Sequence, residues 1–177
     1  PDELAAPLRD DVADLARLVD QLLLLARLDA QTAAETAREP VDLRALASGL
    51  AGALAPLALK TGRHLAFEDA APTGVTGRRE AVAAALRNLV ENALRVTPEG
   101  GTVTIVAGPG ARLAVRDEGP GLSSARLAEL SRRGQRADHA SVQGAGLGLA
   151  IVARIMAAQG GDLRSDQARR ELVLDFR

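Results

Sequence analysis

Cysteine is absent from the 177 residues, which excludes a disulfide framework, a thiolate metal site and a cysteine nucleophile at once. Tryptophan and tyrosine are absent too, and phenylalanine occurs twice, so the core has to be aliphatic. The hydrophobic share of 47% is mostly alanine, leucine and valine. Charge of one sign is not in excess: 22 basic against 23 acidic residues leave a formal net charge of -1, without the clustered basic surplus of a polyanion-binding chain. No nucleic-acid partner is expected. Near the start the longest uninterrupted apolar run, residues 22–26, falls far short of the roughly 20 residues that cross a bilayer. No secretory signal pattern is present either.

What is there begins with leucine. Leu4, Leu8, Leu15, Leu18, Leu22 and Leu25 follow spacings of three and four, with Asp11 as a polar interruption of the seam, and this heptad pattern predicts a helix over 4–28. Val12, Val19, Leu23, Leu24 and Leu28 widen its apolar face beyond a two-helix seam, which suits a bundle. Residues 31–40 are small and polar and end in Pro40, the composition of a linker. The expected organisation is therefore a bundle helix at 1–30, a linker at 31–40 and a globular domain at 41–177.

Within that domain the pattern predicts a short strand at 41–43, a helix over 43–59 and a strand at 63–68. An amphipathic helix over 78–96 has Val82, Leu86, Leu89, Ala93 and Val96 as its core face. After a turn at 98–101, strands 102–107 and 112–116 form a hairpin. Residues 123–143 read as a polar loop or lid with helical stretches at most, and 148–159 as a helix stopped by Gly160 and Gly161. Residues 171–176 form a closing strand. The fold class is α/β: a two-layer sandwich of a mixed β-sheet and helices, preceded by one long α-helix.

Three segments carry chemistry: 88–98 reads N-L-V-E-N-A-L-R-V-T-P, 117–122 reads D-E-G-P-G-L, and 144–149 reads G-A-G-L-G-L. On the helix, Asn88, Asn92 and Arg95 stand at i, i+4 and i+7, a line along one side. Aligned amide oxygens suit a hard cation such as Mg²⁺ that bridges phosphates. The same stripe taken alone also suits a solvated face. Asp117 follows an apolar strand, and D-E-G-P-G by itself is a good turn. Gly144, Gly146 and Gly148 lead into a helix whose N-terminus favours a phosphate. A dinucleotide fingerprint is disfavoured, because it needs a strand immediately before the glycines.

In this order and spacing the segments resemble the N, G1 and G2 boxes of the ATP-binding catalytic domain of sensor histidine kinases, a branch of the Bergerat-fold ATPases; the likeness spans roughly 40–177. It implies ATP and Mg²⁺ as ligands, with Asn88 and Asn92 at the metal and Arg95 near the phosphates. Asp117 then recognises adenine beside Gly119 and Gly121, and Gly144, Gly146, Leu147, Gly148 and Leu149 form the phosphate loop. Relatives that hydrolyse ATP hold a glutamate where this chain has Asn88, and an amide is no general base, so phosphoryl transfer to a protein is implied. Val96 stands where the family usually has an aromatic residue. In place of the Phe-rich box, 127–136 reads L-A-E-L-S-R-R-G-Q-R, with Leu130 substituting for the anchor and Arg133 or Arg136 for the phosphate-contacting arginine. The helix at 4–28 resembles the second helix of the dimerisation and phosphoacceptor hairpin.

Neither His64 nor His139 sits in an acceptor context, so the phosphoacceptor is expected on a helix outside this chain, which by itself is not expected to phosphorylate in cis. A response regulator receiver domain is the implied next partner, and a homodimer through the N-terminal helix is implied for the full-length protein. The implied location is the cytoplasmic side of a membrane-anchored parent. Two other functions share the boxes: a nucleotide-sensing or partner-binding module with little kinase activity, and a serine-specific kinase of the anti-sigma-factor type.

Overall fold

The computed structural model describes residues 38–133 and 146–177, which belong to one compact unit, Ala37–Arg177. The expected helix at 4–28 and most of the linker lie outside the described residues. The linker's last residues, Glu39 and Pro40, are already structured. Strand β1 (Glu39–Val41) pairs antiparallel with β3 (Val75–Gly77), a ribbon that corrects the expected strand at 41–43. Three-residue strands with a distant partner leave no alternation to read in the sequence.

Asp42 then caps helix α1 (Leu43–Lys60), its Oδ1 accepting from Ala45 N at 3.0 Å. This satisfies one of the orphan donors of the first turn. By length and composition alone α1 could cross a membrane. Its buried stripe of Leu43, Leu46, Leu50 and Leu54 instead packs on the sheet, as a core helix does.

The main sheet has five strands in the order β2-β4-β5-β7-β6. Strand β2 (His64–Asp69) runs parallel to β4 (Thr102–Ala107), and β5 (Arg112–Arg116), β7 (Glu171–Asp175) and β6 (Asp162–Asp166) add antiparallel neighbours. The expected β4–β5 hairpin is present with the expected bounds. Strand β6 has no counterpart in the sequence reading, because D-L-R-S-D shows no apolar alternation.

Helix α2 (Arg79–Val96) buries Val82, Leu86, Leu89 and Ala93 as expected, and Ala81, Ala85, Val90 and Leu94 besides. Val96 is a correction: it is 40% exposed, although Ala93, Leu94 and Thr97 beside it are buried, because it lines an open cavity instead of the core. Helix α3 (Ser124–Arg133) is a helical stretch of the kind allowed within the expected loop or lid at 123–143. Ser123 starts it, Oγ accepting from Arg126 N at 3.2 Å, and Leu127 is buried. Helix α4 (Gly146–Gln159) lies against α2 and α3.

A buried glutamine ties these layers together. No side chain of its own caps α2; Gln159 Oε1 at the end of α4 accepts from Arg78 N at 2.9 Å. The Gln159 carbonyl accepts from Arg38 Nη2 at 2.8 Å, and Arg38 also donates to Thr76 O of β3 at 2.8 Å. Gln159→Ala leaves the Arg78 N–H without its partner, a loss of about 1–2 kcal/mol. Urea unfolding measures it, and a shift below about 0.5 kcal/mol would show that water replaces the amide at no cost.

On the sheet face that carries Arg112, Ala114 and Arg116, Glu171 is paired in register with Arg116. Its side chain is 1% exposed. Glu171 Oε1 accepts from Arg116 Nε at 3.0 Å and Nη2 at 2.6 Å, and Oε2 accepts from Arg112 Nη2 at 3.3 Å. Since Arg112 is in register with Asp175, its side chain must run along the face over Ala114 and Val173 to reach Glu171. Ala114 and Val173 form a buried apolar patch on this charged face with Val106, and Ala70 packs against it.

Candidate functional site

A cavity of about 150 Å³ opens where the end of α2 meets the loop after β5. That volume holds one aromatic ring when the lining is aliphatic. Asn92 and Val96 come from α2, Asp117 and Gly121 from the loop, Leu130 from α3 and Leu149 from α4. All six are residues singled out in the sequence. The β6–β7 hairpin closes the remaining side with Ser165, Arg170 and Leu172.

The loop is shaped by its glycines. Gly119 N donates to Asp117 Oδ1 at 2.8 Å, and a Cβ on Gly119 would stand 2.8 Å from that oxygen and 2.9 Å from Val96 Cγ2. Only glycine lets the loop close on both. Gly121 has φ +75°, a backbone region that glycine enters without steric cost. The Asp117 amide donates to Arg170 O at 3.2 Å, and Ser165 Oγ donates to Leu122 O, so the hairpin and the loop form one wall.

Asp117 lines the cavity together with Asn92, Ser165 and Arg170, and Val96, Leu122, Leu130, Leu149 and Leu172 supply its apolar surface. Burial pushes its carboxyl above the usual aspartate value, against the lowering by the Gly119 N–H and the Arg170 charge. A desolvated acceptor on one wall, with apolar walls around it, fits a flat heterocycle that presents a donor edge.

Asn88 lies one turn before Asn92 and half-buried. Its Nδ2 donates to Ala84 O at 2.9 Å, which assigns the acceptor role to its oxygen. Neither Asn88 nor Arg95 lines the cavity; Arg95 is exposed. Among the described residues no cluster of His, Cys, Asp and Glu could hold a metal ion, so the metal expectation rests on the amides of Asn88 and Asn92 with the substrate's phosphates. Gly144, Arg136 and His139 lie outside the described residues, as do the side chains of Arg133 and Leu147. Gly146 begins α4 and Gly148 is in its first turn. His64 is exposed on the edge strand β2, with β4 between it and β5.

Sequence reasoning missed Ser165, Arg170 and Leu172. They stand well beyond the last box, and only the pairing of β7 with β5 brings them to Asp117. Leu172, alternating on the inward face, was the one local signal.

The sequence profile of the family described as "Histidine kinase-, DNA gyrase B-, and HSP90-like ATPase" matches residues 77–173. The chain is 34% identical over 165 residues to the signal transduction histidine-protein kinase BaeS of Escherichia coli, covering 90% of this chain and 35% of that protein. To the sensor protein kinase PmrB of Pseudomonas aeruginosa it is 36% identical over 156 residues, covering 86% and 32%. It thus spans about a third of the length of these curated relatives. Among solved structures, full-length ShkA in complex with AMPPNP superimposes with a TM-score of 0.73 at 30% identity, covering 94% of this chain and 36% of that one. The cytoplasmic segment of the histidine kinase QseC gives 0.64 at 25% identity, covering 94% and 93%. The chain belongs to the histidine kinase-, DNA gyrase B- and HSP90-like ATPase family, on its sensor-histidine-kinase branch.

Proposed function

We propose that this domain binds ATP with Mg²⁺ and delivers the γ-phosphoryl group to a histidine on a helix outside this sequence. The observation that carries the reading is Asp117, a partly desolvated carboxyl on the wall of a largely apolar cavity that Asn92 also lines. Adenine presents its exocyclic amine to Asp117, and guanine presents a carbonyl there, which leaves the carboxylate facing an acceptor. The Asn88 and Asn92 oxygens are neutral, hard donors that fit Mg²⁺, which supplies charge neutralisation between the phosphates.

The reaction breaks the bond from the γ-phosphorus to its bridging oxygen, whose electron pair leaves with ADP, and forms a bond from phosphorus to an imidazole nitrogen. The protein's part is positioning and charge. Asn88 has no proton-accepting function towards water, which favours transfer over hydrolysis. From phosphohistidine the group passes to an aspartate of a response regulator receiver domain. The domain works on the cytoplasmic side of a membrane-anchored parent, and the segment 4–28, expected to be helical from its heptads, is the proposed dimerisation element of the full-length protein.

Calorimetric titration with ATP and GTP, each with and without Mg²⁺, tests the site. ATP is expected to bind at least about 100-fold tighter than GTP. Asn92→Ala is expected to lose the Mg²⁺-dependent part of the affinity, and a variant that binds Mg-ATP as tightly as the unmodified chain would put the site elsewhere. In the full-length protein the label from ATP should be acid-labile. Acid-stable label on a partner would indicate a serine kinase instead.

A further inference from the structure

Arg170 belongs to none of the three boxes, yet it lines the cavity. It ends the turn from β6 to β7 with φ +55°, a left-handed conformation that is strained for any residue with a Cβ. Such strain persists only where the surroundings hold it, and it clusters at ligand clamps. Here the main chain holds it: Arg170 N donates to Gln167 O at 3.3 Å, and Arg170 O accepts from Asp117 N at 3.2 Å.

The side chain is not what holds the turn. Its guanidinium makes no hydrogen bond or ion pair with any described residue, whereas the adjacent Arg169 pairs with Asp166 at 3.8 Å. The stem passes Gly121, 3.8 Å from where a Cβ on that glycine would stand. The guanidinium charge is felt at Asp117. Val96 lines the same cavity, an aliphatic side chain that offers a base no ring to stack on. A planar cation at the mouth of an apolar slot is a suitable cover for an aromatic face.

We propose that Arg170 is a purine-stacking residue of the nucleotide site, its guanidinium plane covering the face of the base whose edge meets Asp117. This rests on the ATP reading above. The strained turn keeps the cation at the cavity mouth, and the hydrogen bond from Asp117 N to Arg170 O couples its position to the base-reading carboxylate.

The test is Arg170→Gly beside Arg170→Lys, in the whole chain. Glycine removes the strain, so the empty protein is expected to melt about 2–4 °C higher. Its affinities for ATP and for adenosine are both expected to fall, by on the order of tenfold, as read by calorimetry and by NMR titration. Stability and affinity thus move in opposite directions, which a merely structural residue would not produce. Unchanged affinity overturns the proposal, and a loss for ATP without one for adenosine reassigns Arg170 to the phosphates. Full retention of affinity by Arg170→Lys overturns stacking in favour of charge acting on Asp117. An unmodified chain that binds neither ligand removes the ATP reading and this one together, an outcome separate from all the others.

Discussion

Asp117→Asn weakens ATP binding by about 30- to 150-fold, equivalent to about 2–3 kcal/mol, while it stabilises the empty domain at neutral pH. The affinity is expected to fall because, in the binding mode proposed above, the carboxylate accepts from the adenine amine, and an asparagine nitrogen in its place would oppose one donor with another. The stability rises for the reason given by the shifted carboxyl. Burial, the largest cause, raises its pKa in the folded state above the usual aspartate value. The folded protein therefore holds that proton more tightly than the unfolded chain does. Asp117's favourable contribution is fully present below the unfolded value and is lost as pH rises through the folded one. At neutral pH the ionised carboxylate works against the empty fold, and asparagine relieves it. The melting temperature of Asp117→Asn should exceed that of the unmodified chain at pH 7, and the gain should vanish at a pH below the ordinary aspartate range. A variant destabilised at both pH values would show that Asp117 organises the loop through its bond to Gly119 more than it serves a ligand.

Glu171→Ala is expected to destabilise the domain by about 3 kcal/mol, which lowers the melting temperature by roughly 6–12 °C for a chain of this size. Glu171 is 1% exposed and receives three hydrogen bonds from Arg112 and Arg116. Removing it leaves two guanidinium groups on a sheet face without their shared anion, with Arg112 Nε already buried and unpartnered. Both arginines reach water in part, which keeps the loss at the low end of the range for buried ion pairs. Denaturant unfolding reads the effect, and a midpoint shift worth under 1 kcal/mol would reduce the network to a solvated surface pair. Glu171→Gln keeps the shape and should retain more than half of the stability lost by alanine.

These two residues differ in how far the sequence exposed them. Asp117 stands in a local pattern, a carboxylate ending an apolar strand before two glycines, which by itself reads as a turn; the adenine-reading role proposed for it came from the resemblance of the boxes. Glu171 reads as a charged residue at the start of a terminal strand. Its burial depends on Arg112 and Arg116, which come from a strand distant in sequence. The Asn88 and Asn92 line was legible locally: helical period places both amides on one side, and the structure puts Asn92 on the cavity wall. Val96 was misread as core because helical periodicity marks an apolar face without telling which of its positions meets the core and which lines a cavity.

By itself the sequence determined the aliphatic core, the α2 stripe, the β4–β5 hairpin, the α/β class and the identity of the boxes. Each of these is encoded by the period of adjacent side chains or by glycine at a fixed place in a turn. Only the tertiary structure decided the β1–β3 ribbon, strand β6, the buried Glu171 and the third wall of the cavity from Ser165, Arg170 and Leu172. Those features arise where strands far apart in the chain come into register, and the energy that selects a register lies in packing and pairing that no local pattern records.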